Sequence, residues 1–178
     1  MIKLAAGVLA ATIFAGQVQA QTQSPSPPAP CSTPEYRQLD FWVGDWDLSF
    51  DAGNGQVGKA SNRITRDEYG SCVVTEHFTQ PNGFKAISVS IFDQQKQAWR
   101  QTWVDNAGGV FVLEGGPVVD QAHRFELRTV EARGSPKLIR RMIWEDVRAD
   151  TLVWRWQALQ PDGSWKDQWV LNYKRRPG

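Results

Sequence analysis

Polar side chains stand at positions where a strand would turn them toward apolar neighbours. Glu76 is in phase with Cys72, Val74 and Phe78, and Asn62 with Ala60 and Ile64. Gln101 sits between Trp99 and Trp103, and Arg141 between Ile139 and Ile143. Inward faces would place a carboxylate, a guanidinium and two amides in a protein interior. Buried charges are costly unless paired, and buried amides need partners. Two kinds of chemistry fit this set. In a binding module, Asn62, Glu76, Gln101 and Arg141 anchor the polar end of a small amphipathic ligand, and Trp99, Trp103 and Trp156 line the cavity. In an enzyme without a cofactor, of isomerase, hydratase or lyase type, Glu76 is the general acid or base and Arg141 steadies a developing anion. Burial would raise the Glu76 pKa and Arg141 would lower it, so the sequence leaves its working state open. The plain alternatives are a Glu76–Arg141 ion pair serving as an internal strut, or strands of opposite phase that put these groups in water.

Other reactive types give less. His77 follows Glu76 directly and should point to the opposite face of a strand. His123 follows a turn and reads as a surface residue. Ser88 and Ser90 share a face with Phe92, but no G-x-S-x-G elbow surrounds them. Two cysteines and two histidines provide no zinc-site spacing. No glycine-rich loop leads into a helix, so a phosphate cradle has no support. The expectation is therefore no metal and no cofactor, with binding favoured over catalysis. A third reading is a ligand-free envelope interaction or stress protein. It would require an exposed aromatic patch, for which Trp42 and Trp165 are candidates.

The elements that position these residues are short strands. Turn-forming clusters recur at Ala52–Gly55, Tyr69–Ser71, Pro81–Gly83, Asp93–Lys96, Asn106–Gly109, Gly115–Pro117, Arg133–Pro136, Asp146–Asp150 and Pro161–Gly163. Between them lie runs of Val, Ile, Thr, Phe and Trp. Trp46, Leu48 and Phe50 alternate with Asp45, Asp47 and Ser49, and Leu152, Trp154, Trp156 and Ala158 alternate with Val153, Arg155 and Gln157. Trp165, Trp169, Leu171 and Tyr173 are expected to share one face of the last strand. This period of two marks half-buried strands. Short loops between consecutive strands make up-and-down order the simplest topology, and closure removes the exposed edges. The reading is all-β: a single antiparallel up-and-down barrel of about nine to ten strands. One short helical turn precedes it, with Thr33 as N-cap and Pro34 at the first position, placed to close one end.

Residues 1–20 read as a secretory signal peptide, with Lys3, an apolar run from Leu4 to Gly16, and a small-x-small site at Val18-Gln19-Ala20. Residues 21–30, rich in Pro, Ser and Gln, form a flexible linker. The barrel domain spans 31–176. Removal of the signal peptide takes Lys3 with it, so the formal charge falls from +1 to 0. That balance argues against nucleic acid as partner, and no later run is apolar enough for membrane insertion. Periplasmic or secreted localisation follows. The only cysteines, Cys31 and Cys72, are expected to pair in an oxidising compartment.

Gly44-Asp45-Trp46, opening the first long strand after a helical turn, resembles the G-x-W signature of lipocalins and related calycin barrels. The resemblance implies that Trp46 crosses the barrel floor beneath an arginine of the last strand, Arg175 or Arg176. A longer pattern comprises Asp40-Phe41-Trp42-Val43-Gly44-Asp45-Trp46, Ser61-Asn62-Arg63-Ile64, Gly70–Glu76, Trp99–Asp105 and Arg141-Met142-Ile143-Trp144. It resembles exported bacterial proteins of unknown function with a lipocalin-like barrel. This implies fold, export and the Cys31–Cys72 pairing, and no activity. A more distant similarity is to nitrobindin-type barrels, which hold haem through a histidine. Neither His77 nor His123 lies in a matching context, so haem is not expected.

Overall fold

The computed structural model describes residues 29–66, 72–119, 121, 123–130 and 139–177. The segments read as a signal peptide and, up to residue 28, a linker, and the turns expected at Tyr69–Ser71 and Arg133–Pro136, lie outside the described residues. The strands are β1 (Gly44–Asp51), β2 (Val57–Thr65), β3 (Val73–Thr79), β4 (Lys85–Asp93) and β5 (Ala98–Asp105), followed by β6 (Val110–Pro117), β7 (Phe125–Thr129), β8 (Arg140–Glu145), β9 (Thr151–Leu159) and β10 (Trp165–Arg175). Each pairs antiparallel with its sequence neighbour, and β1 pairs with β10, closing an up-and-down barrel of ten strands. No described helix is long and apolar enough to cross a membrane.

Alternation sets which side chains fill the barrel. Trp46 and Leu48 on β1, Val74, Glu76 and Phe78 on β3, and Leu152 and Trp154 on β9 are buried, with more exposed neighbours between them. On β10 the phase breaks. The register slips between Asp167 and Trp169, so Trp169 faces inward with Leu171 and Tyr173 while Trp165 falls on the outer wall. The expectation that all four share a face fails here, because one extra residue reverses the phase of everything beyond it.

One end of the barrel is plugged. Two 3₁₀ turns, Pro34–Arg37 and Asp40–Trp42, lead into β1 and bury Tyr36, Leu39 and Trp42. Tyr36 and Trp42 pack edge-on against Phe92 and Trp144, with ring centroids 5.6 and 5.1 Å apart, and Phe41 tilts against Phe125 at 6.3 Å. Arg66 fastens the second turn through Asp40 at 2.8 Å. The Cys31–Cys72 disulfide ties the arriving chain to the start of β3, with Cα atoms 5.1 Å apart.

Trp46 spans this floor. The Arg175 guanidinium lies 4.0 Å above its ring and donates to the carbonyls of Val43 (2.7 Å) and Phe41 (3.1 Å). Of the two arginines considered, Arg175 takes this place, while Arg176 pairs with Asp47 outside. Gly44 adopts φ +135°, and a Cβ there would lie 2.2 Å from Arg175 Nη1. The position therefore excludes a side chain on both backbone and steric grounds.

Candidate functional site: a polar layer beneath an aromatic mouth

Strands β2 to β5 each turn polar groups into the middle of the barrel. Register sets Glu76 opposite Ser88, and Gln101 opposite Ser90. Ser88 Oγ donates to Glu76 Oε2 at 2.5 Å, and Asn62 Nδ2 donates to Glu76 Oε1 at 2.6 Å. Asn62 Nδ2 also reaches the Tyr173 hydroxyl at 3.0 Å. Gln101 Nε2 donates to Ser88 Oγ at 3.1 Å and to Ser90 Oγ at 3.0 Å. Asn62, Glu76, Ser88, Ser90, Gln101 and Tyr173 are all buried.

No basic side chain among the described residues bonds Glu76. Burial raises its pKa from 4.5 to about 7, against the lowering effect of Ser88 and then Asn62. Tyr173 is pushed well above its usual value, chiefly by burial and then by the Glu76 charge. Glu76 thus exchanges its proton near neutrality in a low-dielectric setting. Asn62 Oδ1 and Gln101 Oε1 are buried and accept no hydrogen bond from the described residues. The layer is rich in donors to the carboxylate and retains two unused acceptors.

The other end of the barrel has aromatic walls around a pocket of about 180 Å³. Phe84, Trp103, Phe111, Trp154, Trp156 and Trp169 line it, with Met142 and Asp105. Trp154 and Trp156 stack at 6.4 Å with planes 7° apart, and Phe111 meets Trp156 edge-on at 5.2 Å. Asp105 is occupied by its own turn: it accepts from Trp103 Nε1 and from the backbone N–H groups of Ala107 and Gly109. Phe78 lies between pocket and polar layer. It is the next inward residue on β3 beyond Glu76, and its ring packs on Phe84, Trp103 and Trp169. A larger concavity of about 830 Å³ lies on the outer wall, flanked by Asp47, Lys59, Arg148 and Lys174. Solvated charges suffice to explain that surface, so the interior carries the functional argument.

Residues 32–175 match the family described as Protein of unknown function (DUF1579). The chain belongs to this family. No curated protein matches it. The family description assigns no activity, so the function of this DUF1579 barrel has to be argued from its own side chains.

The structure brings Asn62, Glu76 and Gln101 into one cluster and sets Trp103 and Trp156 at the mouth. It separates two expected members. Arg141 faces outward, because Met142 and Trp144 take the inward phase of β8. Its guanidinium bonds Glu126 Oε2 at 3.2 Å and Gln157 Oε1 at 2.7 Å, and stacks on Trp165 at 4.1 Å. It therefore neither pairs with Glu76 nor stabilises an anion inside this DUF1579 barrel. Trp99 is inward but lies at the plugged end, packed on Phe92 and Phe125 and donating to Gln38 Oε1 at 3.0 Å. Its distance from the mouth follows from its place at the start of β5.

The sequence reading did not place Ser88, Ser90 and Tyr173 in this layer, where they bond Glu76, Gln101 and Asn62 respectively. The signal was present in β4, where Ala86, Ser88, Ser90 and Phe92 alternate with Ile87, Val89 and Ile91. The small and polar set is the buried one, and the aliphatic set is exposed. Phe84, Phe111, Trp154 and Trp169 were likewise missed as pocket walls, because parity tells inside from outside but not one end from the other. His77 faces outward, away from the Glu76 cluster.

Proposed function

We propose that the barrel binds a small, partly apolar molecule in the aromatic pocket at its open end. One observation carries this reading: ring faces and edges converge on a cavity of about 180 Å³ at the end that the 3₁₀ turns do not fill. An apolar cavity of roughly 150 Å³ accommodates benzene, so a body of one ring or a short acyl chain suits this volume. Mostly apolar walls with a few polar groups are the usual composition of such sites. Native mass spectrometry of protein purified from its own host should reveal a bound small molecule. Isothermal titration with one-ring probes should give saturable one-to-one binding. Failure of every probe, with an empty protein from the host, would contradict the proposal.

Export belongs to the same proposal. The Cys31–Cys72 disulfide supports an oxidising compartment, periplasmic or extracellular. The N-terminal sequence of the mature protein tests it: a start near residue 21 is expected.

A second reading, a cofactor-free acid–base enzyme, is favoured by one specific observation. Glu76 titrates at about 7, which suits proton transfer at neutral pH. That reading requires Phe78 to swing aside so that a pocket ligand reaches the carboxyl group. Substrate conversion by the wild type, lost in a folded Glu76→Gln variant that still binds, would support it over binding alone. Of the two aromatic candidates for an envelope-interaction surface, Trp42 is buried and Trp165 lies under the Arg141 guanidinium, so neither supports that reading.

A further inference from the structure

The rim of the pocket carries a cation that meets no carboxylate among the described residues. Arg140 takes the inward phase of β8, one step beyond Met142 toward the open end. Its guanidinium carbon lies 5.5 Å from the Phe111 ring centre and 5.9 Å from that of Trp156, both pocket walls. Every other arginine on β7 to β9 meets a carboxylate: Arg128 and Arg141 at Glu126, and Arg155 at Glu145 and Asp167. Arg140 meets none among the described residues. Lys166 extends the same rung, since Ala158 pairs with Arg140 on one side and Lys166 on the other. Lys166 also meets no carboxylate among the described residues.

Stacking engages the face of a guanidinium and leaves its edge donors free. A carboxylate in that plane can accept two parallel N–H bonds. The contact with two rings also strips water from the face of the ion, which strengthens its attraction to an anion at its edge. Across the mouth, Asp105 would oppose an anion. Against burial, which raises its pKa, Trp103 Nε1 and two backbone N–H groups hold it below the usual range, so Asp105 stays charged but is tied back into its own turn, and the Arg140–Lys166 side must outweigh it.

We propose that the mouth selects a small organic carboxylate, its apolar body among the tryptophans and its carboxylate on the edge of Arg140, with Lys166 adding charge. This inference rests on the pocket reading above and adds the class of ligand to it.

The test titrates the full mature chain with 3-phenylpropionate, 3-phenylpropanol and 3-phenylpropylamine by calorimetry. A charge-assisted pair at a partly exposed rim should make the carboxylate bind about tenfold more tightly than the alcohol. In Arg140→Gln, checked for folding by circular dichroism, the ratio of the two affinities should fall to about one. Arg140→Lys keeps the charge without the planar fork and should retain part of the preference. Equal affinities for the acid and the alcohol in the wild type would overturn the inference and leave the pocket reading standing. Preference for the amine would overturn it in favour of Asp105. A wild-type preference that persists in Arg140→Gln would place the carboxylate elsewhere and overturn it as well. No binding of any of the three probes would overturn this inference, and, with an empty protein from the host, the pocket reading as well.

Discussion

The two ends of this barrel are built from the same residue types and do different work. At the plugged end, Trp42, Trp46, Trp99 and Trp144 are all essentially buried, and each finds its ring partners within the chain. At the open end, Trp103, Trp156 and Trp169 are only half-buried and face a common space. The difference comes from what is inserted between the strands. The 3₁₀ turns supply Tyr36, Leu39 and Trp42 to one end, so its aromatics complete a core. Among the described residues no such plug enters the other end, and its aromatics become walls. An aromatic residue in a small barrel is thus core or pocket according to its height along the axis.

The largest effect should come from Trp144, which meets both Trp42 and Phe125. Trp144→Ala should lose up to about 5 kcal/mol in chemical denaturation, through lost burial and the cavity left behind. Opening the disulfide in a Cys31→Ser, Cys72→Ser double variant should lose about 4 kcal/mol in the chain-entropy model, given a separation of 41 residues. That loss should leave mouth binding intact at temperatures where the variant is folded.

Glu76 provides a test between the two ends. Its folded pKa lies above the unfolded value, so the folded state favours the protonated form. The resulting stability is fully present below pH 4.5 and is lost as the pH rises through about 7. The difference between the extremes is about 3 kcal/mol. Glu76→Gln should remove that dependence, so the variant should gain on the wild type as pH rises from 4.5 to 8 in urea unfolding. A constant difference across this range would show that Glu76 does not titrate as its burial implies. The smallest effect on stability is expected at the mouth. Trp156→Ala should lose only about 1–2 kcal/mol, because the ring is half-buried, yet it should abolish binding of one-ring probes. An equal loss of stability from Trp156→Ala and Trp144→Ala would dissolve the distinction between wall and core.

The architecture was legible because alternation and turn chemistry recur along the chain. Trp46, Leu48 and Phe50 on β1, and Leu152 and Trp154 on β9, follow the expected phase. The grouping of Asn62, Glu76 and Gln101 was also within reach, since each keeps the parity of buried neighbours. What could not be read was geometry that parity does not encode. The bulge before Trp169 turned Trp165 outward. In the pair Arg140-Arg141, the flanking Ile139 and Ile143 pointed to Arg141 as the inward member, and the inward one proved to be Arg140, since Met142 and Trp144 follow it in phase. On β4 the aliphatic Ile87, Val89 and Ile91 lie outside and the smaller Ala86, Ser88 and Ser90 inside, where Ser88 bonds Glu76 and Ser90 accepts from Gln101. Height along the barrel axis, which separates Trp99 from Trp103, depends on where the closing turns lie and not on strand periodicity.

The most direct test of the central claim uses the nine tryptophans as reporters. Indole N–H signals of the mature protein would be followed by NMR during titration with 3-phenylpropionate. Saturable shifts are expected at Trp103, Trp154, Trp156 and Trp169, with fixed positions for Trp42, Trp46, Trp99 and Trp144. Shifts centred on the plugged end, or none at the mouth under saturating probe, would contradict that claim.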